Sequence, residues 1–406
     1  MSRREKDESH PAGGPAHTPG LAFHSLDYAS SVGIMAYAAS ATITPICLLI
    51  IARELSFSLL GGGAIEVVRS GLILVTLVGS GFVAARWGKP VSLGMSCLVM
   101  GSGLMLYSIA PTYGTVLLGV GLLGLGGGIV EGLLNPLIQD LHPGDSGRYL
   151  NIVNGFWSIG VLLTMLVGGE LLTREVSWRL IVGSLGFLSV FSGILFLLLR
   201  REVHASPRFA AAEVFGHKWF MVRLPRFWLF MGMMFAAGAA EGALTFWSAS
   251  FIQLDHGGLP RTGGIGVACF AVGMILGRFA SGLWVGQHRL RRLIFFSAGV
   301  GTIASMLIPL AQTLPALFAV LFVSGLAVAC FWPSLQSYAA DRLPVETTSL
   351  FILLSCAGIP GFAFAAWLIG LVGEYGSLKA AFFIIPAFFV ALAVLLLIER
   401  FWKVKE

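Results

Sequence analysis

Glu131 and Glu241 occupy places where a carboxylate is costly to keep. Glu131 lies in GLGGGIVEGLLNPLIQDLHP (124–143) and Glu241 in GAAEGALTFW (238–247), each inside a long apolar run. A charged side chain at the centre of a bilayer costs about 2.5–3.5 kcal/mol on insertion scales. Such a residue faces a wet cavity, meets an opposite charge or binds a proton. A glutamate exposed by turns to each side of a membrane, with cationic partners coming and going, can carry a proton. Away from the ends of the apolar runs, the only other charges are Glu66, Arg69 and Arg278. Glu131, Glu241 and Arg278 are therefore the candidate proton-coupling residues. Structural ion pairing between helices remains the competing reading for both glutamates, and a helix-end role the competing one for Arg278. Glu66 and Arg69 stand one turn apart toward the outer end of their run and read as an external salt bridge.

Spacing groups polar residues around these charges. Residues four or seven apart share a helix face, which places Glu131, Asn135 and Gln139 on one stripe and Asn151, Asn154 and Ser158 on another. Glu241, Thr245 and Ser248 form a third stripe, Tyr37, Ser40 and Thr44 a fourth, and Trp332 with Gln336 a fifth. Amides and hydroxyls can pair with the hydroxyls of a polyol, and an indole offers a flat face to a sugar ring. The candidate binding residues are Asn135, Asn154, Trp157, Asn151, Thr44, Thr245, Trp247, Trp332 and Gln336. Asn154 serves equally well as interhelical glue, and Trp247 and Trp332 equally well as packing. Gln139, Arg86 and the prolines Pro136, Pro333 and Pro360 are the candidate gating residues, the prolines because they bend helices.

The elements that must hold these residues follow from composition. The 406 residues are 56% hydrophobic and only 11% charged, against about 25% charged in soluble proteins. Twelve apolar segments follow one another near 28–51, 60–84, 91–110, 114–139, 149–173, 179–199, 226–252, 262–286, 292–312, 315–338, 346–373 and 377–398. Each is long enough to cross a hydrocarbon core of roughly 30 Å. The expected fold class is all-α, a polytopic membrane protein of twelve transmembrane helices.

Of the 26 Lys and Arg residues, 19 fall in segments on the side of the N-terminus, 5 in loops on the other side and 2 within spans. This bias places both termini in the cytoplasm, with the chain in an inner or plasma membrane. The net charge of +6 thus reflects topology, and no nucleic-acid partner is expected. Residues 1–25, with SRREKDESHPAGGPAHTPG, read as a disordered tail without the short apolar core of a signal peptide. The five cysteines all fall inside spans without CxxC spacing and read as packing residues; the eight histidines fall in tails or loops. No metal site, cofactor or catalytic constellation is expected. The runs Gly61–Gly63 and Gly126–Gly128 lack the Lys-Ser/Thr of a nucleotide loop and suit close helix packing instead.

The two halves echo each other. A shift of 197 residues lays NPLIQ (135–139) over WPSLQ (332–336), and a shift of 198 lays YAASA (37–41) over FAAGA (235–239). Duplicated halves are the expectation: bundles at 26–200 and 226–400, a cytoplasmic interdomain loop at 201–225 and a short tail at 401–406. This arrangement resembles the major facilitator superfamily. The loop GFVAARWGKP (81–90) is similar to that family's Gly…Asp-Arg…Gly-Arg/Lys signature, with Ala85 where aspartate is usual. The second copy, GRFASGLWVGQHRLRR (277–292), keeps Gly277, Arg278 and Gly282.

Three further motifs resemble the fucose/glucose/galactose proton symporter branch. They are the Glu131…Asn135-Pro136 pattern, LNIVNGFWSIG (150–160) and Glu241 followed by Trp247. YAASATITP (37–45) lacks the aspartate of the fucose type. The resemblance implies a secondary active transporter working by alternating access. Its expected cargo is a hexose or similar small polar solute moved with a proton, in a monomer that needs only the lipid bilayer around it. Export of amphiphilic drugs or lipids, and coupling to sodium, are the rival expectations.

Overall fold

The computed structural model describes residues 22–142, 146–200, 223–285, 287–343 and 347–401. Most of the proposed N-terminal tail and interdomain loop therefore lies outside the described residues, as does 402–406. Among the described residues, twelve helices are long and apolar enough to cross a membrane. Within lipid, a spanning segment must satisfy its backbone polar groups internally, and a helix does so. The spans are α1 (Ser25–Leu55), α2 (Leu59–Trp87), α3 (Lys89–Ser108), α4 (Tyr113–Leu141), α5 (Ser146–Thr173) and α6 (Trp178–Leu199). They continue as α7 (Pro225–Asp255), α8 (Pro260–Trp284), α9 (Leu290–Leu310), α10 (Leu314–Arg342), α11 (Thr347–Tyr375) and α12 (Leu378–Phe401).

Helix starts are written locally. Ser58, Thr112 and Ser377 each accept a backbone N–H of the first turn, at α2, α4 and α12. Proline occupies the first turn of α3, α7 and α8, where its missing N–H costs nothing. Pro45, Pro136 and Pro360 stay inside continuous helices. In α10 the helix opens into a turn at Ala329 and Cys330. Pro333 follows, and a proline removes the bond to the carbonyl four residues earlier, here that of Ala329.

The spans form two pseudo-symmetric six-helix bundles, α1–α6 and α7–α12. In the first, α3 packs on α4 and α6, α2 on α4, and α1 on α5 and α6. The second repeats each pairing: α9 on α10 and α12, α8 on α10, and α7 on α11 and α12. Glycine permits the tightest of these contacts. A Cβ on Gly103 of α3 would sit 2.7 Å from the Gly119 carbonyl, and one on Gly119 of α4 would sit 2.9 Å from the Gly103 carbonyl.

Two polar clusters at the terminus-bearing end differ from the sequence reading. His142, read as a loop histidine, is buried at the end of α4, where its Nε2 lies 2.8 Å from Asp27. Its ring stacks on Tyr149 of α5 at 3.5 Å. Glu399 is buried as well; Arg226 of α7 pairs with it and the Tyr338 hydroxyl of α10 donates to it. Asp27 and Glu399 escaped the reading because α1 begins before residue 28 and α12 runs past residue 398.

The second cluster carries a stability prediction. Arg226→Ala leaves the Glu399 carboxylate buried without its cation, a change that costs about 3–5 kcal/mol in proteins generally. Thermal unfolding in detergent is expected to show a clear drop in Tm, partly restored by adding Glu399→Gln. An unchanged Tm would mean that the pair carries no net weight.

Candidate functional site

The bundles meet through α2 against α11 and α5 against α8. These contacts cluster at one end, opposite the chain termini. Glu374 of α11 accepts the Leu59 N–H at 2.8 Å, and Thr173 of α5 accepts the Arg261 N–H at 2.8 Å. Glu170 of α5 bonds both Arg174 and Arg261. Four glycines let the backbones touch there. A Cβ on Gly63 would lie 2.6 Å from the Ala366 carbonyl, and one on Gly264 would fall on the Met165 carbonyl. Gly370 similarly faces Leu59, and Gly169 faces Pro260. Equivalent positions of the two crossings stand 201 residues apart throughout (63 and 264, 169 and 370, 165 and 366, 59 and 260). The internal echo near 197–198 in the sequence thus extends to this end as a two-fold related pair of crossings.

Inside this closure lies a cavity shared by both bundles, with ≈ 60 Å³ of space for water. Arg69, Trp157 and Ser158 reach it from the first bundle, and Glu241, Thr245 and Phe362 from the second. Glu241 lies beside the Trp332 side chain and feels the charge of Arg278. Among the described residues its Oε2 has no hydrogen-bond partner, and neither has Nε of Arg278. Arg278 reaches across to Ser158 at 3.5 Å. Trp157 meets Tyr37 edge-on at 5.0 Å.

Beyond Arg69, toward the end that carries the termini, the α4 stripe is open to solvent. Glu131, Asn135 and Gln139 are all exposed, and Asn154 of α5 donates to Asn135 Oδ1 at 2.9 Å. Among the described residues Glu131 accepts no hydrogen bond, while Arg69 acts on it electrostatically. Glu131 is thus exposed, and Glu241 borders the cavity between the bundles. Trp332 and Gln336 are half-buried on α10, and Gln336 contacts Ser355 at 3.4 Å.

Several residues do not sit where spacing placed them. Trp247 is fully buried and donates its indole N–H to the Ala366 carbonyl at 2.8 Å. It packs the closed end and does not reach the cavity. Thr44 is buried against the Tyr107 hydroxyl of α3, and Ser40 against Met100. The side of α1 that meets the cavity carries Ala41 and Thr42 instead, because α1 is apolar almost all round and spacing could not choose its face. Arg86 is exposed at the end of α2. The side chain of Asn151 lies outside the described residues.

Glu66 and Arg69 are a correction of a different kind. They do pair, at 2.6 and 2.8 Å, but inside the protein. Glu66 is 2% and Arg69 12% exposed, and Arg69 borders the cavity. Charge inside an apolar run was the available signal, and position near a span end masked it.

Comparison with known sequences follows the same architecture. The sequence model of the Major Facilitator Superfamily matches residues 29–264 and 256–404. The chain belongs to that superfamily. It is an integral, multi-pass membrane protein and a secondary transporter. It is 24% identical to the membrane protein MosC of Rhizobium meliloti over 82% of this chain and 79% of that protein. It is also 24% identical to an uncharacterised MFS-type transporter of Yersinia pestis, over 75% and 77% of the two chains. Among solved structures, it resembles a bacterial homologue of the human lysosomal transporter Spinster, in an inward-facing, occupied conformation. The TM-score there is 0.76 at 14% identity, over 94% and 97% of the chains. The nucleoside transporter NupG gives a TM-score of 0.75 at 14% identity, over 93% and 99%. These likenesses concern the fold.

Proposed function

We propose that this superfamily member is a proton-coupled importer of a hexose or similar small polar solute, held between the bundles with both termini in the cytoplasm. The observation that carries this reading is Glu131: a carboxylate inside a spanning helix, reached by solvent, without a hydrogen bond among the described residues and facing Arg69. A permanently charged structural residue would be paired; a carrier of a proton must be reachable. Asn135, Asn154, Trp157, Thr245, Trp332 and Gln336 supply the amides, hydroxyl and indoles for a polyol, and Glu241 with Arg278 is a second titratable pair. In this reading the open end is cytoplasmic, so the chain is inward-facing. The likeness of its Glu131-x-x-x-Asn135-Pro136 pattern to the fucose/glucose/galactose branch supports the sugar assignment.

Export of amphiphiles is the second reading, favoured by one observation. An apolar groove of ≈ 200 Å³ runs between α1, α5 and α6, lined by Met35, Ile43, Leu163, Val167, Leu185 and Leu188 among others. Proteoliposomes separate the two. A panel of labelled hexoses, polyols and nucleosides is expected to include one taken up at least tenfold better with an imposed proton gradient than without it. Sodium-dependent uptake without a proton effect would replace the ion. Proton-driven efflux of a lipophilic cationic dye, with no uptake of any polar solute, would favour the exporter.

A further inference from the structure

We infer that Arg69 is a positioning residue that assigns the exchangeable proton to Glu131 by keeping Glu66 fully paired. The inference rests on the reading of Glu131 as the coupling carboxylate. Two carboxylates lie in the field of one guanidinium at this point of the first bundle, Glu66 in direct contact with it and Glu131 through electrostatics alone. Arg69 Nε donates to Glu66 Oε2 at 2.8 Å, Nη2 donates to Oε1 at 2.6 Å, and the Ser70 hydroxyl donates to the same Oε1 at 2.8 Å. Both oxygens of Glu66 are therefore occupied, in the bidentate geometry that suits a charged carboxylate. The Tyr37 side chain of α1 lies beside the guanidinium as well. What remains of its field falls on Glu131 of α4, which has no hydrogen bond of its own among the described residues and is open to water.

The charge count then has one solution in which the trio is neutral. With both glutamates ionised the trio carries −1; one proton makes it neutral. That proton belongs on Glu131, because protonating Glu66 would take away the charge that strengthens two hydrogen bonds, whereas protonating Glu131 weakens none. Other groups facing the trio are Glu241 on α7 and Trp157 and Ser158 on α5, across the cavity, with Arg278 of α8 behind Ser158. Glu241 has its own cation in Arg278, so it does not compete for Arg69. A cation that served only Glu66 would have no reason to border the cavity, as Arg69 does, or to act on a third charge.

The test needs protons alone and no transported solute. Spin labels on cysteines at Glu175 and Tyr375, both exposed and on opposite bundles at the closed end, report that end's opening in the full-length protein. The distance distribution is measured from pH 5 to pH 9. Wild type is expected to shift population with one midpoint, and Glu131→Gln to abolish the shift. Arg69→Gln removes the shared cation, so the midpoint moves to higher pH. Glu66→Gln frees Arg69 for Glu131, so the midpoint moves to lower pH; each displacement is expected at about 1–3 pH units. The opposite signs separate positioning from support, since damaged packing would not drive the two variants apart. If Arg69→Gln does not fold, the downward move in Glu66→Gln decides alone. Midpoints unmoved in both variants, with Glu131→Gln still abolishing the shift, overturn the role of Arg69 and leave Glu131 standing. A shift that survives in Glu131→Gln, or a wild type indifferent to pH, overturns the Glu131 reading itself.

Discussion

Glu131→Gln is expected to abolish accumulation of the transported solute while leaving its exchange across the membrane intact. Glutamine keeps the size and hydrogen-bonding capacity of the protonated acid but can neither lose nor gain a proton. A carrier returning empty must release its proton to the side of low proton activity, and with glutamine it carries none. One charge moved down 100 mV is worth about 2.3 kcal/mol, which sustains a concentration ratio on the order of fifty-fold. The variant's steady-state ratio should therefore fall from that order to about one. Counterflow, in which labelled solute exchanges for unlabelled, should stay within a few-fold of wild type, because Asn135, Asn154 and Trp157 are untouched. Both rates are measured in the same proteoliposomes with the solute that the uptake panel yields. Accumulation that persists in the variant removes Glu131 from coupling and moves attention to Glu241. Loss of counterflow together with accumulation would instead place Glu131 in solute binding.

The second large effect concerns the closed end. Valine at Gly264 would drive its Cβ into the Met165 carbonyl, and valine at Gly63 into the Ala366 carbonyl. Both obstacles are backbone, so no rotamer change relieves them, and α5 must part from α8, or α2 from α11. Overpacking of this kind costs about 1–3 kcal/mol per site, a shift of about 5- to 150-fold in the balance between closed and open. The two crossings lie on different helix pairs, so their effects are expected to add. The double variant therefore approaches the roughly 5.5 kcal/mol needed to invert a 99:1 population.

The spin-label distance between positions 175 and 375 should lengthen in each single variant, and the long distance should dominate in the double. Solute uptake should fall at least tenfold, since the cycle can no longer close on that side. Gly79→Val and Gly299→Val are the controls, because a Cβ at either place meets nothing within 4 Å. Wild-type distances in Gly264→Val and Gly63→Val would show that these crossings do not hold the closure.

How much of this was legible beforehand differs by residue. Glu131 and Glu241 announced themselves, because a carboxylate in an apolar run is conspicuous in any sequence of this composition. The stripe Glu131, Asn135, Gln139 was also readable: α4 carries few polar residues, and helical spacing leaves them one face. The surroundings of Thr44, and the choice between binding and packing for Trp247, were not readable for the opposite reason. α1 and α7 are apolar on nearly every side, so their few hydroxyls and aromatics could face any neighbour. Tight packing against α3 and α11 decided the matter. Asp27, His142 and Glu399 lie within a few residues of span ends, where an apolar window cannot say whether a charge is in water or under a neighbouring helix.

By itself the sequence determined the solvent and the architecture. Twelve apolar runs dictate helices in lipid, since no other open chain satisfies its backbone there, and the internal echo dictates two like bundles. It also determined that a few carboxylates would need water or cations. Only the tertiary structure decided which cation serves which carboxylate. Arg69 and Glu66 lie three residues apart, but Arg69 and Glu131 lie 62 apart in the chain, and their electrostatic coupling depends on how α2 settles on α4. Ion pairing falls off over a few ångströms in position, whereas hydropathy is a sum over about twenty residues; the sum survives in one dimension and the pairing does not.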